Sequence, residues 1–398
     1  MRGPLRHTTK AVAILGVAAI LLAACSSSKK SNVSTGGSSA TSAASGGGSK
    51  GTVKIGFFGA LTGPNAQLGI NEYNGTKLAV DQFNKKGGTQ VDLVKYDSQG
   101  DPAQAPQLAQ KAISDKVVAI VGPAFSGESK AADPIFEQAH IVNVTASATN
   151  PGLATNGWKY WHRVVGNDNA QGPSAADFIS KKLAAKKVAV IDDNQEYSLG
   201  IANIVRQTLG SLVAFSDHID PKAQDYSATV NGAKAANVDA IFYGGYYAEG
   251  GRLLKQLRDA GVTAPFVSDD GAEDNKLVST AGAANAEGAY ATCPCGDVTQ
   301  STTAGTFVQD YKADAGTDPA IYSAEAYDAA SVILQAIGAG KTTGPDINTY
   351  LATIDFKGIT KEIKFGDNGD IAASGIYIYK VTSGSFQVQG LVSQLIGS

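Results

Sequence analysis

The chain has 398 residues, of which 43% are hydrophobic and 17% are charged, and its formal net charge is −3. These proportions are typical of a soluble globular protein, and they provide no basic surface for nucleic acid or a polybasic membrane contact. The sequence contains only three cysteines, so a disulfide framework does not hold this fold together. We expect no cofactor and no nucleic-acid partner.

The first residues have the features of a lipoprotein signal peptide. Three basic side chains precede an apolar stretch at 11–24, which is shorter than the roughly 20 residues of a membrane-spanning helix. Small residues then lead directly to Cys25, an order that resembles the lipobox of bacterial lipoproteins. We therefore expect residues 1–24 to be a lipoprotein signal peptide and the Cys25 thiol to be lipidated. The alternative is a secretory signal with a chance cysteine.

Residues 25–50 are predicted to be a flexible linker. They consist almost entirely of Ser, Gly, Ala, Thr and Lys, a composition that cannot bury enough apolar surface to fold. The protein is thus expected to be exported and held on the outer face of the bacterial cell membrane by its lipid. No later segment is long and apolar enough to cross a bilayer.

From residue 52 onward, short apolar runs alternate with amphipathic stretches, which indicates an α/β fold with parallel sheets. The pattern predicts strands or extended segments at 53–58, 91–96, 117–121, 141–145, 161–166, 187–191, 214–219, 238–243 and 265–268. Helices are predicted at 71–86, 102–115, 128–140, 172–185, 200–210, 226–236, 249–260, 306–315 and 324–337. The chain should end in paired strands at 375–381 and 385–389.

The βαβα rhythm starts at residue 52 and restarts after residue 166, which predicts two Rossmann-like lobes joined by a hinge that the chain crosses several times. The first lobe is expected to contain 52–166 and about 297–366, and the second 167–296 and about 367–398. Ligands of open α/β sheets bind outside the carboxyl ends of the strands. Those ends are rich in hydroxyl groups, Gly, Tyr and Asp here, so a cleft for a small polar ligand is expected between the lobes.

A run of twelve residues after the first predicted strand, Phe58 to Gly69, resembles the opening signature of the branched-chain amino-acid-binding proteins of ABC transporters. The resemblance continues through Gly122 to Ser126, Thr145 to Pro151 and Phe242 to Tyr246. It implies a type I periplasmic binding fold and a solute-binding component of an ABC importer, which would bind a small aliphatic amino acid and an ABC permease as a monomer.

The resemblance also implies the ligand-binding residues. A hydroxyl at a helix N-terminus suits a carboxylate, which assigns Ser126; helix capping alone is the other interpretation of this serine. An acidic group suits the ammonium, which assigns Asp270, with Asp269 as the neighbouring candidate. Ser147 and Thr149 are implied to touch the ammonium and carboxylate with backbone and hydroxyl groups; a turn that bonds only to itself is the alternative. The remaining predicted ligand-binding residues are Leu68, Tyr197, Tyr246 and Tyr322.

Four positions bear on specificity. Leu68 stands where relatives carry a large aromatic residue, and Ser147 stands where many relatives carry alanine. The first change leaves room for a bulkier ligand, and the second adds a hydroxyl that could bind water or a more polar ligand. Glu249 and Glu325 fall near the predicted cleft edge; we expect them on solvated helix surface, and the alternative is that either selects a cationic or amide-bearing ligand.

Other classes of function are less well supported by the residues. The sequence has no Gly-x-Ser-x-Gly elbow and no His-Glu-x-x-His motif, so we do not expect an enzyme. The pair Cys293 and Cys295 is expected to form a local disulfide rather than a metal site, because two cysteines supply only half of a tetrahedral set. A ligand sensor, or the same scaffold binding urea, a short amide or an aromatic acid, remains open.

Overall fold

A computed structural model describes residues 51–372 and 375–397, which fold around two mostly parallel β-sheets. The predicted signal peptide, linker and lipidation site at Cys25 lie outside the described residues. The strands are β1 (Thr52–Gly59), β2 (Gln90–Asp97), β3 (Ala119–Val121), β4 (Val142–Thr145), β5 (Trp161–Arg163), β6 (Val188–Asp192), β7 (Val213–His218), β8 (Ala240–Gly244), β9 (Phe266–Ser268), β10 (Tyr290–Cys293), β11 (Phe356–Lys357), β12 (Glu362–Ile363), β13 (Tyr377–Thr382) and β14 (Ser385–Leu391).

The helices flank these sheets, and among the described residues none is both long and apolar enough to span a membrane. They are α1 (Ala66–Lys85), α2 (Ala105–Ser114), α3 (Ser126–Ala139), α4 (Asp168–Asp177), α5 (Glu196–Leu209), α6 (Ser227–Ala235), α7 (Tyr247–Asp259), α8 (Asn275–Ala281), α9 (Ala283–Ala286), α10 (Phe307–Ala315), α11 (Ser323–Gly338), α12 (Gly344–Leu351) and α13 (Val392–Ile396). A π-helical segment, Phe178–Lys182, continues α4.

The first sheet has the strand order β2-β1-β3-β4-β5 and is parallel throughout. The second has the order β14-β13-β10-β9-β8-β6-β7, in which only the C-terminal hairpin β13–β14 runs antiparallel to its neighbours. The predicted α/β class with two Rossmann-like lobes is confirmed. In each sheet the strand order reverses beside a central strand, between β1 and β3 and between β6 and β8, where α/β proteins bind ligands.

Both faces of the first sheet are buried, as expected for a parallel sheet covered by helices. Along β1, Ile55 and Phe57 pack into one apolar cluster with residues of α11 and α12. Phe58 points to the opposite face and packs with Tyr96 and Phe136 in a second cluster. The alternation explains why this strand is an unbroken apolar run in the sequence.

The chain passes between the sheets after β5, after β10 and before β13. Arg163, fully buried at the end of β5, connects two of these crossings. Its Nε donates to Asp370 Oδ1 at 2.7 Å, and its Nη1 donates to the carbonyl oxygens of Ala148 and Asn150 at 2.8 and 3.0 Å. Asn167 in the first crossing donates to the other oxygen of Asp370 at 3.1 Å. The ion pair of Arg163 and Asp370 therefore connects the hinge to the loop after β4 through hydrogen bonds.

Several elements were not predicted from the sequence, namely α8, α9, β10, α12, α13 and the β11–β12 pair. Strand β10 has four residues and lies between β9 and β13, so its strand character depends on neighbours distant in the chain. At its end, the Sγ atoms of Cys293 and Cys295 are bonded, with their Cα atoms 5.0 Å apart. Both cysteines are buried, and the Tyr379 hydroxyl donates to the Cys295 carbonyl oxygen at 3.2 Å.

Helices α1 and α11 pack closely because Gly75 has no side chain. A Cβ at this position would collide with the carbonyl oxygen of Ser323. Alanine normally stabilises a helix interior by about 1 kcal/mol relative to glycine, yet we expect Gly75→Ala to lower the free energy of unfolding by about 1–3 kcal/mol through overpacking. Urea unfolding measures this. The matched control is Gly338→Ala at the exposed end of α11, and a Gly75→Ala protein as stable as that control would contradict the prediction.

Candidate ligand-binding cleft

A cavity lies between the two sheets, at the carboxyl ends of their central strands. The cavity is lined by Leu68, Glu72, Ala124, Phe125, Ser126, Ser147, Tyr197, Tyr246, Asp270, Gly271 and Tyr322.

The second lobe contributes a buried carboxyl group, Asp270, in the short turn after β9. Its Oδ1 accepts a hydrogen bond from the Tyr197 hydroxyl at 2.7 Å, and its Oδ2 accepts one from the Tyr322 hydroxyl at 2.6 Å. Two phenols therefore fix the orientation of this carboxyl. Burial raises the pKa of Asp270, and the hydrogen bonds from Tyr322 and Tyr197 oppose that rise.

The neighbouring Asp269 has a different role. It is also buried, but its Oδ2 accepts a hydrogen bond from the Gly245 backbone N–H at 2.9 Å, and it does not line the cavity. Of the two adjacent aspartates, the structure therefore places Asp270 in the cleft. Asp168 lies close to both, and burial, reinforced by the charge of Asp270, raises the pKa of the Asp168 carboxyl.

The first lobe contributes the N-terminus of α3. The helix begins at Ser126, two residues before the predicted start, and Phe125 precedes it in an extended conformation. The Ser126 Oγ accepts a hydrogen bond from the Asn150 N–H at 3.2 Å, which leaves the hydroxyl proton available. The structure gives no side-chain cap at this helix end. Ser126 thus lines the cavity at an uncapped helix N-terminus, and Asp270 lines it from the second lobe.

Aromatic rings cover the cavity from the second lobe. The ring centroids of Tyr197 and Tyr246 are 5.4 Å apart, and Tyr246 also meets Phe125 of the first lobe edge-on at 5.1 Å. The contact between Tyr246 and Phe125 crosses the cleft. Aromatic pairs with this geometry stabilise a contact by about 0.5–1.5 kcal/mol beyond their buried area.

Polar contacts outside the cavity also join the lobes. The Tyr247 hydroxyl accepts from the Gln67 N–H at 3.0 Å, and Glu249 Oε2 accepts from Asn65 Nδ2 at 3.2 Å. Lys130 pairs with Glu196 at 2.7 Å. The structure is therefore a closed arrangement of the two lobes.

Among the described residues that line the cavity, none is Lys, Arg or His. The nearby Arg163 is paired with Asp370, whereas Asp270 and Glu72 face the cavity without a cation. No group of three or more His, Cys, Asp or Glu residues in the described part of the chain could hold a metal ion. The cavity therefore has carboxyl groups on its wall, and the N-terminus of α3 can bind a negative charge.

Comparison with known proteins identifies the family of this chain. The model of the periplasmic binding protein family matches residues 52–385. The chain belongs to this family. It is 33% identical over 336 residues to the leucine-, isoleucine-, valine-, threonine- and alanine-binding protein of Pseudomonas aeruginosa, a match that covers 83% of this chain and 90% of the other.

Two solved structures of periplasmic binding proteins are also similar. One is the branched-chain amino acid transporter substrate binding protein LivJ of Streptococcus pneumoniae in complex with isoleucine, with a TM-score of 0.79 and 30% identity over 85% of this chain and 99% of the other. The leucine binding protein LivK of Thermotoga maritima has a TM-score of 0.78 and 31% identity over 85% and 98%. The resemblance to branched-chain amino-acid-binding proteins predicted from the sequence is confirmed.

Most of the residues predicted for the site of this periplasmic binding protein meet at the cavity. Thr149 does not line it, because it is buried behind the wall, where its carbonyl oxygen accepts from the Asp168 N–H at 3.0 Å. The residues that line the cavity as predicted are Leu68, Ser126, Ser147, Tyr197, Tyr246, Asp270 and Tyr322.

Glu72 and Phe125 are cavity residues that sequence reasoning missed. Glu72 follows Leu68 by four residues on α1, so the helical period puts both on the face that meets the cavity. The four-residue spacing from Leu68 could have been used to predict Glu72 as a cavity residue. Glu249 and Glu325, expected on solvated helix surface, are instead buried, with 3% and 2% of their surface exposed, and the prediction for them was wrong.

Buried glutamates of the first lobe give the protein a testable pH dependence. Burial raises the pKa of Glu128 from 4.5 to about 8; hydrogen bonds from Ser98 and Phe125 oppose this, and the charges of Asp97 and Asp101 add to it. Between these pH values the folded protein holds a proton that the unfolded chain releases. The free energy of unfolding should therefore fall with rising pH, by up to about 1.4 kcal/mol per pH unit for this group.

We expect Glu128→Gln to reduce that slope between pH 5 and 8 by about one proton, as measured by urea unfolding at several pH values. Glu128 does not line the cavity, so the change tests burial rather than ligand binding. The exposed Glu287→Gln serves as the control and should leave the slope unchanged. Equal slopes for Glu128→Gln and the unaltered protein would show that Glu128 is already ionised when folded.

Proposed function

We propose that the protein is the extracytoplasmic solute-binding component of an ABC importer, and that it binds a small aliphatic amino acid of the branched-chain type in the cavity. The observation that carries this proposal is the pairing of Asp270 with the N-terminus of α3 across a cavity without cationic side chains. That arrangement is complementary to a zwitterion, since one end accepts hydrogen bonds and the other donates them.

The ammonium group is assigned to Asp270. In a partly dehydrated site, an ammonium–carboxylate hydrogen bond is roughly twice as strong as a neutral one. The hydroxyls of Tyr197 and Tyr322 already satisfy one lone pair on each oxygen of this carboxylate and hold it toward the cavity. Bringing a cation beside Asp270 would also offset the cost of burying its charge near Asp168.

The carboxylate group is assigned to the first lobe. The Ser126 hydroxyl and the free N–H groups of the first turn of α3 are the donors, and the helix dipole adds a favourable field. Since the two charged ends bind to different lobes, the ligand bridges them. Binding therefore shifts the population toward the closed arrangement, which is the form that a permease would recognise.

The aliphatic side chain is assigned to the wall formed by Leu68, Ala124 and Phe125. An apolar pocket of this kind discriminates weakly, because one methylene changes the binding free energy by only about 1–3 kcal/mol. We therefore expect several aliphatic amino acids to bind. The named ligands of the relatives, which include leucine, isoleucine and valine, support this assignment.

The cellular setting belongs to the proposal as well. The relatives are named as binding proteins rather than enzymes, and the family is periplasmic. We place the protein outside the cytoplasmic membrane as a monomer without catalytic activity, attached through a lipid on Cys25 and docking onto an ABC permease. Labelling with a radioactive fatty acid in the native host, with Cys25→Ser as the control, tests the anchor.

Calorimetric titration of the folded region from residue 51, stripped of bound ligand, tests the ligand class. The proposal expects 1:1 binding of leucine, isoleucine or valine and much weaker binding of urea, acetamide and benzoate. Exclusive binding of urea, an amide or an aromatic acid would keep the fold and overturn the ligand. If the protein binds an amino acid but associates with no ABC permease in the native host, a sensory role would be favoured.

A further inference from the structure

Glu72 and Ser147 make an unusual contact on the wall of the cavity. Ser147 Oγ lies 2.8 Å from Glu72 Oε1 and 2.6 Å from the carbonyl oxygen of Ala124. Glu72 has 1% of its surface exposed and lies one helical turn after Leu68, in the part of the cavity assigned to the ligand side chain. Both residues line the cavity, and the assignments proposed above for the charged ends of the ligand use neither side chain.

The number of protons that the two side chains can donate determines whether Glu72 is charged or neutral. A serine hydroxyl has one proton, and a carbonyl oxygen can only accept. The Ser147 proton therefore goes to the Ala124 carbonyl, and the contact with Glu72 is a hydrogen bond only if Glu72 supplies the second proton. Glu72 is thus a neutral carboxylic acid, in agreement with its burial, which raises the pKa of Glu72 from 4.5 to about 8.

The pair of Glu72 and Ser147 can still accept hydrogen bonds, but it has no proton left to donate. Glu72 donates its proton to Ser147, and its other oxygen, Oε2, can accept a hydrogen bond. Oε2 is buried and has no hydrogen-bond partner among the described residues. Ser147 retains a lone pair. The wall therefore offers acceptors without a donor, and a buried acceptor left unpaired costs about 1–3 kcal/mol. A ligand that brings a donor to this place removes that cost.

We infer that Glu72 and Ser147 form an acceptor subsite for a hydroxyl group on the ligand side chain, which makes threonine a better ligand than valine. This inference rests on the proposed amino-acid site. Threonine and valine have almost the same shape, so a pocket that admits one admits the other, and only the hydroxyl distinguishes them. A site that hydrogen-bonds a ligand hydroxyl discriminates against an analogue that lacks it far more strongly than an apolar pocket does.

Calorimetric titration with threonine and with valine tests the subsite. For the unaltered protein we expect threonine to bind at least tenfold more tightly. Glu72→Gln keeps a neutral side chain with one donor for Ser147 and one acceptor, so it should preserve this ratio within about threefold. Glu72→Leu removes both oxygens of the carboxyl group, and the ratio should fall to about one or favour valine. Ser147→Ala removes the serine oxygen but keeps Oε2 of Glu72, so the ratio should fall by a smaller factor.

The outcomes separate the inference from the proposal on which it depends. Equal binding of threonine and valine to the unaltered protein, or an unchanged preference in both Glu72→Leu and Ser147→Ala, would overturn the subsite and leave the amino-acid site intact. A loss of the preference in Glu72→Gln would overturn the neutral state of Glu72. Binding of neither amino acid would overturn the proposed function, and the subsite with it. If Glu72→Leu does not fold, the ratio of threonine to valine affinity in Ser147→Ala tests the subsite instead.

Discussion

Asp270→Asn is expected to weaken leucine binding at least 100-fold while the protein remains folded. Asparagine has nearly the same shape and can still accept from a tyrosine hydroxyl, but it provides no charge for the ligand ammonium. Removing one partner of a buried hydrogen-bonded charge pair costs about 2–5 kcal/mol, and each 1.4 kcal/mol is a factor of ten in the dissociation constant. Calorimetry measures the affinity, and thermal unfolding without ligand checks the fold.

Asp269→Asn is the matched control for this prediction. The two aspartates are adjacent and buried, but only Asp270 lines the cavity. Asp269→Asn should therefore change the dissociation constant by less than tenfold, although it weakens the hydrogen bond to Gly245. Ser126→Ala, which removes one donor from the carboxylate end, should fall between the two. An Asp270→Asn protein that binds leucine within threefold of the unaltered protein would contradict the assignment of the ammonium group.

Arg163→Ala is expected to lower the free energy of unfolding by about 3–5 kcal/mol, the usual cost of breaking a buried ion pair from one side. The change leaves the carboxylate of Asp370 without its cation, and the carbonyl oxygens of Ala148 and Asn150 lose their donor. Because those carbonyls belong to the loop after β4, which also carries Ser147, leucine affinity should fall as well. Urea unfolding and calorimetry report the two effects separately.

Two comparisons make this prediction specific. Lys255→Ala removes an exposed ion pair with Asp259, and it should cost no more than about 0.5 kcal/mol. Asp370→Asn in the Arg163→Ala background should recover part of the lost stability, because the uncompensated charge is then absent. A loss below 1 kcal/mol for Arg163→Ala would show that the pair does not hold the hinge.

The sequence was sufficient to predict the fold class because its apolar runs have the lengths of strands buried on both faces. Strand β1 was predicted within one residue at each end, since every position from Ile55 to Phe58 is buried or packs on a neighbour. Helix α1 was predicted five residues too late. Its first turn, from Ala66, faces the cleft, so its polar residues interrupt the apolar period on which the prediction depends.

Short elements escaped prediction because tertiary contacts define them. The four residues of β10 carry no alternation of their own and become a strand only between β9 and β13. The burial of charged side chains escaped prediction for the same reason. Glu249 was expected in solvent, but the first turn of α7 meets Asn65 of the other lobe and is buried there. A contact across the cleft cannot be inferred from periodicity within one helix.

The site was predicted through resemblance more than through residue type. Ser126, Asp270 and Tyr322 are common residues in unremarkable positions, and only their order and spacing along the chain pointed to one cavity. The neutral state of Glu72, by contrast, depends on three oxygen atoms from α1 and two different loops. Such a state follows from atomic distances and has no signature in the sequence.

Binding of leucine and of 4-methylpentanoate, which is leucine without its ammonium group, tests the central claim most directly. The two share the carboxylate and the branched chain, so they differ only in the group assigned to Asp270. Calorimetric titration of the stripped protein should give 1:1 binding of leucine and at least 100-fold weaker binding of the acid. Equal affinities would show that the cavity does not recognise an ammonium group, and would contradict the account of this protein as an amino-acid-binding protein.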